Sequence, residues 1–271
     1  MRILTPDDAV VVSEESLLES DPSAVIDSNV SFVNALRGEH LRQEEISRDA
    51  WLSYYADYYL RQVENGGFSQ FIYNSKRAEP VMTLVRQGLE SIGAHRHRAL
   101  LKEGELLIES LGSRIRKFFS SAYFGKNRDR DYLDAITERF YQLNRTENLE
   151  QLNAAWLKSN PRLLAVPRAA MHEQVILRAK ALPDRPQREA AARANEHAWL
   201  KNIRALCAAA GQELVRLNAG AGYQHEGRTV FAHHFSTDKG HHFMIEVEGQ
   251  SMLFDGTTKK QVLSLPSISE A

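Results

Sequence analysis

Cys207 is the single cysteine among 271 residues. One thiol excludes an internal disulfide and cannot build a Cys-based zinc site alone. A reducing, cytoplasmic setting is therefore the expectation. No stretch approaches the roughly 18 apolar residues that a membrane span needs, so no membrane partner is expected. The run Val10-Val11-Val12 is too short for a signal-peptide core. An excess of one charge is missing too: 34 Lys and Arg stand against 35 Asp and Glu. That balance argues against direct nucleic-acid binding, which depends on many phosphate contacts. Also absent are a P-loop, a Rossmann glycine fingerprint, a Gly-x-Ser-x-Gly elbow, a His-Glu-x-x-His pair and a Cys/His pairing. No cofactor is expected, and binding is a better expectation than catalysis.

The charges that are present segregate. Residues 1–50 hold eleven acidic and four basic side chains, and residues 93–194 hold twelve acidic and nineteen basic. Either the two regions attract each other within the fold, or an acidic face meets a basic partner. The acids include Asp7, Asp8, Glu14, Glu15, Glu19, Asp21, Glu39, Glu44, Glu45 and Asp49.

Apolar spacing predicts helices through most of the chain. Residues 1–27 read as a partly ordered arm with a short helix near Glu14–Ser20. Asp27 or Ser28 caps a helix over about 29–37, and Ser47 caps one over about 48–64. On the latter, Trp51, Leu52, Tyr55, Tyr59 and Val63 form one stripe, read as core. Further helices are predicted over about 78–92, 95–111, 113–124, 129–143, 147–159 and 168–182, several ended by Gly or Asn-Pro. Pro183-Asp184-Arg185-Pro186 cannot lie inside a helix and marks a boundary. Beyond it, 188–210 reads as one long Ala-rich helix. Thr229–Phe235, His242–Val247, Gln250–Phe254 and Lys260–Leu265 read as strands joined at Asp238-Lys239-Gly240 and Glu248-Gly249. The fold class is therefore α+β, mainly α. A multi-helix domain (1–182) precedes a small domain (183–271) whose antiparallel meander packs on a helix.

Two basic features invite a phosphate: His95-Arg96-His97-Arg98 at a helix start, and the Arg114–Arg130 stretch with Phe118, Phe119 and Tyr123 interleaved. A solvated helix end and buried aromatics are the blander readings. His233, His234, His241 and His242 are the one reactive cluster. Strand neighbours point to opposite faces, so at most two share a side. A zinc site needs a third ligand. No metal is expected, with His234 and His242 the candidate ligands otherwise.

The most specific stretch is Asn65-Gly66-Gly67-Phe68-Ser69-Gln70-Phe71-Ile72-Tyr73-Asn74. Two adjacent glycines beside a helix predict a stop and a reversal. Phe68, Phe71 and Ile72 then share one face of a second helix, with Asn65 and Asn74 as caps. This Asn-Gly-Gly-Phe-x-Gln-Phe-x-x-Asn pattern resembles the signature of a bacterial DNA mimic protein family, over about residues 45–165. Asn65, Gly66, Gly67, Phe68, Phe71 and Asn74 are read as structural. The resemblance implies a helical, self-associating domain that occupies another protein's DNA-binding surface through carboxylates. A homodimer and a protein partner, a toxin or a DNA-binding protein, are thus expected. The contact candidates are Glu39, Glu44, Glu45, Asp49, Asp57, Glu64 and Gln70. The leading expectation is a non-enzymatic immunity-type inhibitor of a toxin, such as a nuclease. The alternatives are a DNA mimic acting on a transcription factor and a metal-dependent enzyme using the His hairpin.

Overall fold

The computed structural model describes residues 9–269 except 121, 122 and 124. Asp7, Asp8 and Phe124 lie outside the described residues. Contacts divide the chain into two compact units, Met1–Arg185 and Pro186–Ala271. The α+β, mainly helical class is observed, with an antiparallel sheet towards the C-terminus.

The described part of the first unit opens with a strand that the sequence reading lacked, followed by the expected short helix. β1 (Val10–Ser13) pairs in parallel with β2 (Leu163–Val166), and Val10, Val11 and Val12 are wholly buried. Parallel pairing between segments this distant leaves no local signal, so both strands escape a reading of neighbouring residues. Between them run α1 (Glu14–Leu18), α2 (Ser23–Gly38), α3 (Arg48–Ser75), α4 (Glu79–Ser91) and α5 (His95–Ser110). Then come α6 (Arg114–Ser120), α7 (Arg128–Leu133), α8 (Thr137–Asn144) and α9 (Leu149–Lys158), and α10 (Met171–Lys180) follows β2. Helix α2 starts earlier than its periodicity suggested, so Asp27 and Ser28 lie inside it and cap nothing. The caps that form are Ser13 for α1, Asn127 for α7 and Asn148 for α9, each accepting from a first-turn N–H. Gly93 and Gly112 end α4 and α5 with positive φ, as their positions predicted.

Two cores fill this unit. One joins Tyr59, Phe68, Phe71, Leu89, Leu101 and Phe140. The other gathers β1, α2, the start of α3, and α9 and α10 around Val25, Ile26, Phe32 and Trp51. Burying one such side chain contributes roughly 1.5–3 kcal/mol.

In the second unit the expected long helix is two: α11 (Arg185–Ala194) and α12 (Ala198–Ala209). Pro186 sits in the first turn of α11, where a missing N–H costs nothing. The described residues of this unit form six strands: β3 (Leu214–Leu217), β4 (Ala221–His225), β5 (Arg228–Thr237), β6 (Gly240–Val247), β7 (Gln250–Asp255) and β8 (Gln261–Pro266). All pairings are antiparallel. β3 and β4 escaped the sequence reading because both are short and mostly exposed, with little alternation. Long β5 pairs with β4 through Arg228–Ala232 and with β3 through Phe235–Thr237. Glu226-Gly227 and Glu248-Gly249 both take positive φ, as two-residue hairpin turns require. Phe235, Met244 and Leu253 bury one sheet face against Ile203, Leu206 and Cys207 of α12.

Candidate protein-binding site

Helix α3 carries Asp57, Arg61 and Glu64 at positions i, i+4 and i+7, which share one face. The Arg61 guanidinium is the hub of that face. It lies 3.2 Å from Asp57 Oδ1, 3.6 Å from Glu64 Oε2 and 2.8 Å from Glu150 Oε2 in the first turn of α9. Asp21, just ahead of α2, is close enough for Arg61 to help lower its pKa, behind its hydrogen bonds from Ser23. Asp27 on α2 is close enough to help raise that of Asp57. Three carboxylates from α3 and α9 thus surround one guanidinium, with Asp21 within its electrostatic reach. Asp57 is the buried member, and burial pushes its pKa up to about 6.

Two buried asparagines set the geometry. Asn29 of α2 donates to Ala50 O at 3.0 Å, and Asn153 of α9 donates to Ser53 O at 3.0 Å. Both clamp a neighbouring helix to the backbone of α3, one turn apart. Their residue types look unremarkable in sequence, and nothing local marks them as clamps.

The other contact candidates are spread out and mostly engaged. Glu39 pairs with Arg185 at 2.6 Å. Asp49 accepts from Asn160 at 2.9 Å. Glu45 accepts from the Arg42 backbone at 2.7 Å and so caps a 3-10 turn. Glu44 stands exposed on that turn. Gln70 donates to Gln62 at 3.4 Å, and its amide covers Gly66.

The glycine pair stops the first helical stretch of α3, as the sequence predicted: Gly66 (φ −164°) and Gly67 (φ 81°) are non-helical, and a second stretch runs on to Ser75, but the chain kinks there and does not reverse. The donors freed at the kink are taken up by side chains from a distant turn. Phe68 N–H donates to Thr137 Oγ1 and Ser69 N–H to Asp134 Oδ1, each at 3.0 Å. The carbonyls are met by tyrosines: Tyr123 donates to Gly66 O at 2.8 Å and Tyr141 to Val63 O at 3.2 Å. These partners also explain why 129–143 is not one helix, since a 3-10 turn (Asp134–Ile136) aims Asp134 and Thr137 at the kink. Phe68 and Phe71 are wholly buried. Asn65 and Asn74 are exposed and cap no helix end; Asn74 bridges to Gln62 at 2.6 Å across the kink.

The candidate phosphate site at the start of α5 is filled from within. Glu147 accepts from the backbone N–H groups of Arg96 and His97 at 3.2 Å, occupying the start of α5. His97 is wholly buried, edge-on to Phe140, with its Nε2 3.0 Å from Glu147 O. Burial holds its pKa down to about 4. In the basic stretch Phe118 is core, and Arg114 pairs with Asp129.

The histidines separate by face. His234 and His241 stack on one side of the sheet, ring nitrogens 3.1 Å apart. His233 stacks on Trp199 of α12, and His242 is buried on that same side beside Gln212. The candidate ligands His234 and His242 thus lie on opposite faces, because they occupy opposite strand parities. Among the described residues no three His, Cys, Asp or Glu side chains gather as a metal site. Nor is any helix among them long and apolar enough to cross a membrane.

Residues 44–160 match the family model described as DMP19-like protein. The match runs from the 3-10 turn before α3 to the end of α9, a little under half of the chain. It supports kinship of this segment with a DNA-mimic family. Asp57, Arg61, Glu64 and Glu150 lie inside the DMP19-like segment, whereas Asp21 and Asp27 lie before it. Neither the curated proteins nor the solved structures hold a match.

Proposed function

We propose that this protein is a non-enzymatic binder that presents the α2–α3–α9 acidic face to the DNA-contacting surface of a DNA-binding protein. The observation that carries the reading is the set of three carboxylates around the single guanidinium of Arg61, with Asp21 within its electrostatic reach, in and just before the DMP19-like segment. Elsewhere on this unit, many carboxylates are neutralised one to one, as in Glu103–Arg139 and Glu39–Arg185. At the hub the negative charge exceeds the positive, and a fixed surplus attracts a basic surface and speeds capture. Toxin neutralisation would make the same physical demand, a basic protein partner, but no observation favours it over the first reading.

Affinity capture from the protein's own cells, with and without the Glu64→Gln/Glu150→Gln pair, tests this. A DNA-binding protein is expected, retained less well by the double variant and released by DNA or by salt. Recovery of the same partner with equal strength by both forms would remove the acidic face from the mechanism.

A further inference from the structure

A second feature of α2 lies outside the DMP19-like segment. A groove of about 510 Å³ opens between α2, the β1–α1 turn and the start of α10. Its lining comes from residues 13–35 and 168–175. The floor is apolar, with Phe32 and Val175 buried and Met171 beside them. Ser28 and Ser31 line the α2 wall.

The charges around the groove are unequal in their freedom. On the far wall Arg168 donates from its guanidinium to Glu19 at 3.1 Å and from its backbone to Glu15 at 2.9 Å. Arg178 lies over the Phe32 ring at 5.3 Å and donates to Gln174 O. Both cations are therefore engaged by the protein itself. Asp27, exposed on the α2 rim, makes no hydrogen bond or ion pair among the described residues. An apolar trough ending in an unneutralised carboxylate fits a cation carried on an aliphatic stem.

We propose that this groove receives an arginine or lysine side chain of the partner protein, its stem on Phe32 and Met171 and its head group on Asp27. The inference rests on the protein-binding reading above, and it adds a shaped pocket to a diffuse charge. Charge alone recruits any basic surface, whereas one seated side chain fixes the register of the partner.

The test uses the full ¹⁵N-labelled chain and three probes: acetyl-Ala-Leu-Arg-Ala-amide, n-butylguanidinium and its uncharged analogue N-butylurea. The peptide is expected to shift the amides of Ser28, Ser31 and His172, with butylguanidinium shifting the same set more weakly and butylurea leaving them in place. Asp27→Asn is expected to weaken peptide binding about tenfold, the scale of one charge-assisted contact. Ser31→Trp, which fills the groove without altering charge, is expected to abolish it. Equal shifts from butylurea, or butylguanidinium binding more tightly than the peptide, would overturn the proposal, the first for an uncharged ligand and the second for a free small cation. Unchanged binding by both variants would overturn it as well. None of these outcomes depends on Glu64 or Glu150, so a failed groove and a failed acidic face are told apart.

Discussion

Asp134 caps a helix that starts 65 residues before it: its Oδ1 accepts the Ser69 N–H at 3.0 Å, and its Oδ2 accepts the Ser69 hydroxyl at 3.0 Å. The carboxylate sits where a side chain on Gly67 would go. Gly67 is thus required twice, by its positive φ and by the space Asp134 occupies.

Gly67→Ala is expected to cost at least about 2 kcal/mol, combining backbone strain with displacement of the cap. Asp134→Ala is expected to cost about 1–2 kcal/mol, the range for losing an N-cap. The pair should be strongly non-additive, because the first change already expels the second residue. Denaturant titrations of the single and double variants measure this. Simple additivity would show that the two residues are not coupled.

Phe71→Ala removes a wholly buried ring that meets Tyr59 edge-on at 4.9 Å. A loss of about 3–5 kcal/mol is expected, enough to unfold the first unit in much of the population. Circular dichroism of the variant reads the outcome. A folded Phe71→Ala protein that has lost only its partner would make this ring a contact and not a core residue.

Asp57 keeps its proton to about pH 6 in the folded chain, against an ordinary 3.8. The folded form therefore binds this proton more tightly. Its contribution favours folding below pH 4, fades as pH rises from 4 to 6, and leaves a fixed penalty above. Asp57→Asn is expected to gain about 2–3 kcal/mol relative to wild type between pH 4 and pH 7. Hydrogen exchange of α3 amides at both pH values checks it. A pH-independent difference would place Asp57 in an unperturbed setting.

His97 acts in the opposite sense. It stays neutral in the fold down to about pH 4, while its ordinary pKa is 6.5. The unfolded chain takes up a proton first, so stability is lost as pH falls from 6.5 to 4. His97→Gln should be less stable than wild type at pH 7, and that deficit should shrink by about 3 kcal/mol by pH 4. Urea titrations across this range test it. A constant gap would mean that the imidazole titrates in the fold as it does in the unfolded chain.

The sequence by itself determined the helical first unit, the glycine stops after α4 and α5, the hairpin turns at Asp238-Lys239-Gly240 and Glu248-Gly249, and the burial of Phe68 and Phe71. These follow from spacing and from backbone freedom, which are local properties. Asp57 and Glu64 were legible as contact candidates. Only the tertiary structure decided that Glu150 joins them at Arg61 with Asp21 nearby, and that Glu39 and Asp49 are engaged within the chain. It alone paired β1 with β2, placed Asp134 on the kink and put Glu147 at the start of α5. Each of those joins residues dozens of positions apart, and a carboxylate looks the same in sequence whether it will cap, pair or face solvent. Its role is set by which partner packing brings within about 3 Å, and no local pattern encodes that distance.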